Sequence, residues 1–384
     1  MRALSIGFAP RLAALYAALF ATVGVQLPFF PLWLKAKGLD AAAIGIVLAS
    51  PMLVRIVLIP AAARIADLTG ALRGTMIAVL VAATAGTVIL AFADGFVALT
   101  LIVALAMAAW NCANPLAETY AFTGLRRPSA YGPVRLWGSL AFIAGSFLAG
   151  AAADVMPARD LIWLIAGAIA LSLLAAIALE PVNAAHADGT SGGSRAPLSD
   201  PLFLTVIAGA SLIQGSHAVY YGFSTLAWTQ RGLDGTTIAA LWGLGVAAEV
   251  VLFWLSARLP PAITPLMLVT FGGAMATVRW AGMALDPPAA ILPMLQVLHA
   301  FSFGAAHLGV LRFIAQAAPR GRRATAQAYY SIANGGATAG MMMLSGWLYA
   351  AYGPSAYAAM ALAAGAGCAC CVIARGMMRR RAVV

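Results

Sequence analysis

Apolar runs of about 20 residues follow one another along nearly the whole 384-residue chain, and each is long enough to cross a hydrocarbon core of about 30 Å as a helix. That pattern leaves few folds open. Inside a bilayer each backbone N–H and C=O must bond within the protein, so only helices or closed barrels span it. Barrel strands are short and alternate in polarity, whereas these runs are long and uniformly apolar. A chain that is 63% hydrophobic and 9% charged, with a mean hydropathy of +0.92, is also excluded from forming ordinary aqueous domains. Spans are expected near 12–34, 41–63, 74–93, 96–120, 133–153 and 160–179, then near 202–226, 236–257, 263–284, 289–315, 325–349 and 355–376. The expected fold is an all-α membrane protein of twelve transmembrane helices in two six-helix pseudo-repeats. The only sustained polar, Gly/Ser-rich stretch, 181–201, is read as a flexible cytoplasmic linker between bundles at 1–180 and 202–384. Paired halves of this kind are expected to hold a solute site near the midplane.

Charge sets the expected orientation. With the N-terminus inside, seventeen arginines fall in cytoplasmic segments: Arg2, Arg11, Arg64, Arg73, Arg126, Arg127, Arg135, Arg195, Arg258, Arg312, Arg320, Arg322, Arg323, Arg375, Arg379, Arg380 and Arg381. Only Lys35, Lys37, Arg159 and Arg231 fall outside, which by the positive-inside rule places both termini and the linker in the cytoplasm. The net charge of +11 is therefore spread over loops and does not signal a nucleic-acid partner. Cys112, Cys368, Cys370 and Cys371 lie in apolar runs without metal-site spacing. There is no nucleophile elbow, phosphate loop or metal-spaced cluster, so neither an enzyme, a metal site, a cofactor nor ATP-driven pumping is expected. Small residues four apart, at Gly145 and Ala149 and at Gly336 and Gly340, suggest close helix packing in spans 5 and 11.

Against this background the polar residues inside the runs stand out. A charge at the bilayer centre costs about 2.5–3.5 kcal/mol on insertion scales, so such residues usually face an internal cavity. Arg55 and Arg279 lie mid-run, and Glu118, Arg135, Glu249, His217, His299 and His307 lie in runs or at their ends. Asn111, Asn114 and Glu118 share one face of span 4; Gln214, His217, Tyr221 and Ser224 share one face of span 7; Gln296, His299 and Ser302 share one face of span 10. Each has a plainer reading. Glu118 and Arg135 flank a loop and can snorkel, and a single polar residue in a span is often an interhelical hydrogen bond of about 0.6 kcal/mol. Three aligned stripes favour a shared wet cavity. Glu249 and Arg279 read either as a static ion pair or as a proton-responsive one. Arg55 is expected to meet Glu118 or an anionic solute, and His307 lies nearer the cytoplasmic end.

At these residues the chain resembles the major facilitator superfamily, and within it the lactose-permease-like branch. Ala63-Arg-Ile-Ala-Asp67-Leu-Thr-Gly70-Ala-Leu-Arg73 is similar to the superfamily's loop after span 2. That likeness implies a gating role for Asp67, with Arg73 beside it. Tyr131-Gly-Pro-Val-Arg135-Leu-Trp137-Gly-Ser resembles the permease segment whose Arg contacts substrate together with a Glu ending span 4, here Glu118. Arg279, Glu249 and Gln296-Val-Leu-His299 resemble its coupling residues, but the permease's proton-binding Glu is Ser302 here, and its span 7 Asp and span 11 Lys are unmatched. Tyr131–Ser139, Leu298–His307 and Ala326–Tyr330 are most similar to the phenylpropionate-permease-like group.

The resemblance implies an inner-membrane secondary transporter of a small organic solute, an aromatic carboxylate or a sugar- or nucleoside-like molecule, working as a monomer in the lipid bilayer by alternating access. Proton symport is the expected mode, with efflux antiport as the alternative and Na+ left open as the coupling ion. Expected substrate contacts are Glu118, Arg135, Asn114, Trp137, His217, Tyr221, Gln296 and His299. Expected coupling residues are Glu249, Arg279 and His299.

Overall fold

In a dry core a run of apolar residues can satisfy its backbone only by hydrogen bonds four residues apart, and helices account for these runs throughout. A computed structural model describes residues 7–125, 127, 131–182, 200–318 and 322–383. Most of the expected linker, 183–199, lies outside the described residues. Eleven stretches are long and apolar enough to cross a membrane, and the last, Thr325–Arg381, holds two helices separated by a short turn at Gly353–Ala356. The twelve helices are α1 Phe8–Ala36, α2 Ala41–Thr69, α3 Leu72–Phe92, α4 Phe96–Gly124, α5 Tyr131–Val155, α6 Leu161–Ile177, α7 Pro201–Gln230, α8 Gly235–Ser256, α9 Pro265–Ala284, α10 Ala289–Ala317, α11 Arg323–Tyr352 and α12 Tyr357–Val383. Among the described residues there is no strand.

The chain forms two compact units, one of Met1–Asp188 with Trp228–Gly243 and one of Gly189–Ala227 with Leu244–Val384. The end of α7 and the start of α8 thus belong with the first unit, within which the Asp154 carboxylate at the end of α5 accepts from Gly235 N, Thr236 N and Thr236 Oγ1 at the start of α8. A carboxylate at a helix N-terminus satisfies orphan donors and the helix dipole together.

Within the first unit α1 and α5 run backbone against backbone. A Cβ at Gly24 would overlap the Phe142 carbonyl, and one at Gly145 would lie 2.6 Å from the Ala21 carbonyl oxygen. Ser146 Oγ donates to Gly24 O across the same seam at 3.0 Å. Gly145 therefore serves the close approach its spacing suggests. Gly336 and Gly340 in α11 do not: nothing lies within 4 Å of a Cβ placed at either. Spacing shows which residues could admit a neighbouring helix; whether a helix lies against that face depends on packing that the motif does not encode. In the second unit the small-residue seam lies instead between α7 and α12, where a Cβ at Gly367 would sit 2.6 Å from Gly209 O. All four cysteines are free thiols, Cys112 within α4 and Cys368, Cys370 and Cys371 in α12.

The loop after α2 is shaped by Gly70, whose φ of 63° is the left-handed cap that ends the helix. Arg73 does not act beside Asp67. Its Nη2 donates to Ile177 O, 2.5 Å away at the end of α6, where a cation meets the free carbonyls of a helix C-terminus. Asp67 is exposed, and among the described residues it makes no hydrogen bond or ion pair.

Candidate functional site

Three of the twelve helices are interrupted, and each interruption falls within a polar stripe. Helix α4 breaks at Cys112, because Pro115 has no N–H for the Asn111 carbonyl and its ring crowds that oxygen. Asn111 Nδ2 turns back to Met107 O at 2.7 Å. Helix α7 breaks at Ser216–His217 without any proline. Here side chains take the carbonyls: Ser216 Oγ donates to Ile213 O at 2.6 Å, and His217 Nδ1 lies 3.1 Å from Ile213 O and 3.2 Å from Gln214 O. Such side-chain bonds compete with the helical ladder. Helix α10 passes from an α segment, Leu292–Val297, into a π-helix, Ala300–Ala305, directly after His299. One-turn π segments of this kind are frequent at functional sites.

In the second unit these breaks surround Arg279, whose side chain is fully buried at 0% exposure. Its guanidinium donates from Nη2 to Gln296 Oε1 at 2.8 Å and from Nη1 to Ser302 Oγ at 3.3 Å, and Nη1 lies 3.0 Å from His299 Nδ1. The cation also lies against two rings, 4.6 Å from the Tyr220 centroid and 4.5 Å from that of Trp280. This contact set fixes a proton. An arginine only donates, so His299 Nδ1 must be the accepting nitrogen and the ring proton sits on Nε2. That nitrogen lies 3.4 Å from Glu249 Oε2. The link from Arg279 to Glu249 therefore runs through His299. His299, on α10, bridges the Arg279 of α9 and the Glu249 of α8 that the sequence matched as opposite charges. Glu249, with its side chain 18% exposed, is the most accessible member of that chain.

His217 and Tyr221 join the same cluster. The His217 ring stacks on Tyr221 at 5.7 Å and meets Trp280, His299 and Phe303 edge-on at 4.9, 5.7 and 5.8 Å. Carbonyls only accept, so His217 Nδ1 is the protonated nitrogen and Nε2 is a buried acceptor; neither it nor Gln296 Nε2 has a hydrogen-bond partner among the described residues. His299, Phe303 and His307 stack as a column at 5.2 and 5.7 Å, placing His307 one turn beyond Phe303. Sequence reading missed Trp280 and Phe303 as members. Their signals were adjacency to Arg279 and the four-residue spacing from His299.

The first unit holds a smaller cluster. The Arg135 guanidinium lies 3.7 Å from the Phe20 ring centroid and 5.6 Å from that of Tyr16. Tyr16 meets Tyr131 edge-on at 6.1 Å, and Tyr131 stacks on Phe122 at 5.0 Å. Among the described residues no ion pair joins Glu118 and Arg135. Asn114, one turn before Glu118, is half-buried. Trp137 does not belong here. Two residues turn a helix by about 200°, so it leaves the Arg135 face and is 57% exposed. Arg55 makes no ion pair with Glu118 or any other described residue. Among the described residues no cluster suited to a metal ion is found.

Comparison with known proteins extends these observations. Residues 10–359 match the family model described as "MFS_1 like family". The "Probable 3-phenylpropionic acid transporter" of Escherichia coli (strain K12) is 32% identical over 364 residues, covering 92% of this chain and 94% of that protein. The "Maltose permease" of Geobacillus stearothermophilus is 26% identical over 340 residues, covering 86% and 85%. Among solved structures, that of the nucleoside transporter NupG has a TM-score of 0.79 at 14% identity, covering 97% of this chain and 99% of NupG.

Proposed function

This chain belongs to the MFS_1 like family of membrane transporters for small solutes, and on that premise we propose that it is a proton-coupled symporter importing a small aromatic carboxylate by alternating access. The observation that carries the coupling half of this reading is the Arg279–His299–Glu249 chain. While Glu249 is ionised, His299 donates to it and Arg279 is balanced at one remove. A proton arriving at Glu249, the accessible end, removes that balance and leaves a buried cation whose cost depends on the conformation around it. The imidazole cannot take the proton in place, because its second nitrogen already accepts from Arg279.

The carboxylate half rests on Arg135, a cation stacked on Phe20 and paired with no described acidic side chain, and on the relative at 32% identity whose name specifies an aromatic acid. In the second unit His217 Nε2 is a buried acceptor and Gln296 Nε2 a buried donor, neither with a hydrogen-bond partner among the described residues. Proteoliposomes test the reading. Wild type accumulates 3-phenylpropionate under an inward proton gradient, whereas Glu249→Gln exchanges it across equal pools but no longer accumulates it. Equal loss of accumulation and exchange refutes the coupling role of Glu249, and proton-driven export in place of uptake refutes symport.

A further inference from the structure

Several basic side chains among the described residues find a plain partner. Arg11 pairs with Glu180, Lys37 with Asp94 and Arg381 with Asp200, while Arg73 and Arg312 donate to the carbonyls of Ile177 and Ser256. Arg55 has none of these: among the described residues it makes no hydrogen bond, ion pair or ring contact. It also has nowhere to snorkel. Arg55 is 14 residues from Ala41 and 14 from Thr69, the ends of α2, which places it about 21 Å from either end. A guanidinium left in hydrocarbon at that depth costs about 2.5–3.5 kcal/mol even on insertion scales.

The helix wheel shows which way it points. Ile44, Pro51, Ala62 and Ala66 are buried, and all four lie within about 40° of Arg55 around α2. The exposed positions Leu53, Val57 and Leu68, at 49%, 74% and 71%, lie about 140–200° away. Arg55 is therefore on the protein-facing stripe, not the lipid-facing one. Along that stripe Ile44, Pro51, Ala62 and Ala66 are buried, whereas residues 52–61 around Arg55 include no buried position. A mid-membrane cation on the protein-facing stripe, incompletely buried and with no counter-charge among the described residues, is suited to meet an anion that comes and goes.

We propose that Arg55 is a second, central anion-binding residue, which takes the carboxylate of the solute at the middle of the membrane, while Arg135, only four residues into α5, meets it near the helix end. This rests on the carboxylate reading above. It predicts that charge at Arg55 is a burden to the empty protein and an asset to the loaded one, which is the reverse of a structural ion pair.

The test uses purified full-length protein in detergent, with thermal unfolding read against 3-phenylpropionate, its primary amide, maltose and a nucleoside. Wild type and Arg55→Lys are stabilised by the carboxylate and not by the amide. Arg55→Gln binds the carboxylate roughly 10- to 100-fold more weakly, the range expected for a lost charged hydrogen bond, and its ligand-free unfolding temperature does not fall below that of wild type. Carboxylate binding by Arg55→Gln within about threefold of wild type, with binding lost in Arg135→Gln, overturns the role of Arg55 and leaves the carboxylate reading standing. A ligand-free Arg55→Gln that unfolds several degrees lower assigns Arg55 to structure and also overturns it. A wild type that responds to no carboxylate, whatever it does with the neutral probes, overturns both readings.

Discussion

Replacing Arg279 by Met and Glu249 by Gln, singly and together, measures how the buried charge chain is wired. Arg279→Met removes a cation that makes hydrogen bonds to Gln296 and Ser302 and a third contact to His299. It leaves Gln296 Oε1 and His299 Nδ1 as buried acceptors, and breaking a buried charged network in this way costs about 3–5 kcal/mol. Glu249→Gln weakens the 3.4 Å contact to His299 from a partly exposed side chain, for which about 1 kcal/mol is expected. The coupling between the two mutations is the informative number. The two contacts, with roughly 2 Å across the imidazole, put the guanidinium about 8 Å from the carboxylate, where an effective dielectric of about 20 gives about 2 kcal/mol. A direct ion pair at about 4 Å would give about 4 kcal/mol under the same assumption. Unfolding of the four proteins in mixed micelles near pH 7 yields the cycle. A coupling near 2 kcal/mol fits a chain bridged by His299, and one near 4 kcal/mol fits direct contact. Additivity within about 0.5 kcal/mol refutes any link between the two charges.

Two further outcomes follow from packing and from charge. Gly24→Ala must push the Phe142 carbonyl aside and is expected to cost about 1–3 kcal/mol, whereas Gly336→Ala meets open space and is neutral or stabilising by up to about 1 kcal/mol through helix propensity; thermal unfolding of both variants decides between backbone contact and mere small-residue spacing. At the end of α12, hydrogen bonds from Arg381 hold the Asp200 carboxyl below its usual range. A depressed acid stabilises the fold above its unfolded pKa, about 3.9, and loses that contribution as pH falls through the folded value. The stability difference between wild type and Arg381→Gln, small for so exposed a pair, should therefore be present at pH 7 and close below about pH 4; a difference that persists unchanged into acid refutes the pairing.

The number, type and approximate bounds of the helices were legible in the sequence because hydrocarbon imposes one rule on every run, and composition alone reports compliance with it. The polar stripes on α4, α7 and α10 were legible for the same reason, since a polar side chain at a core position is conspicuous. Pairing was not. Glu249 and Arg279 were matched as the available opposite charges, but the imidazole of His299 lies between them, and no spacing rule specifies which of two neighbours on adjacent helices comes first. Trp137 was grouped with Arg135 by closeness along the chain, although two residues on a helix point nearly opposite ways. Arg73 was grouped with Asp67 by motif, yet the free carbonyls ending α6 hold its guanidinium. These three outcomes share a cause: the alternatives differ by about a kcal/mol of local geometry, and only the packed backbone decides between them.

The coincidence of helix breaks with polar stripes is itself a physical necessity. In lipid an unbonded backbone N–H or C=O costs several kcal/mol, so a helix can be interrupted only where something polar repairs it. At Ser216–His217 the repair is made by the hydroxyl and the ring Nδ1 of the interrupting residues themselves. That leaves the other edge of the His217 ring facing Trp280 and His299. A group that repairs the backbone with one atom is held rigidly and offers its second atom to the interior. The same economy recurs at His299, where Arg279 holds Nδ1 and Glu249 meets Nε2. Irregular backbone and fixed tautomers are thus two aspects of one arrangement. With Nδ1 accepting and Nε2 already protonated, the His299 ring has no free site for a proton, so the proton enters this chain at Glu249, a direction that a freely rotating, doubly solvated imidazole would lack.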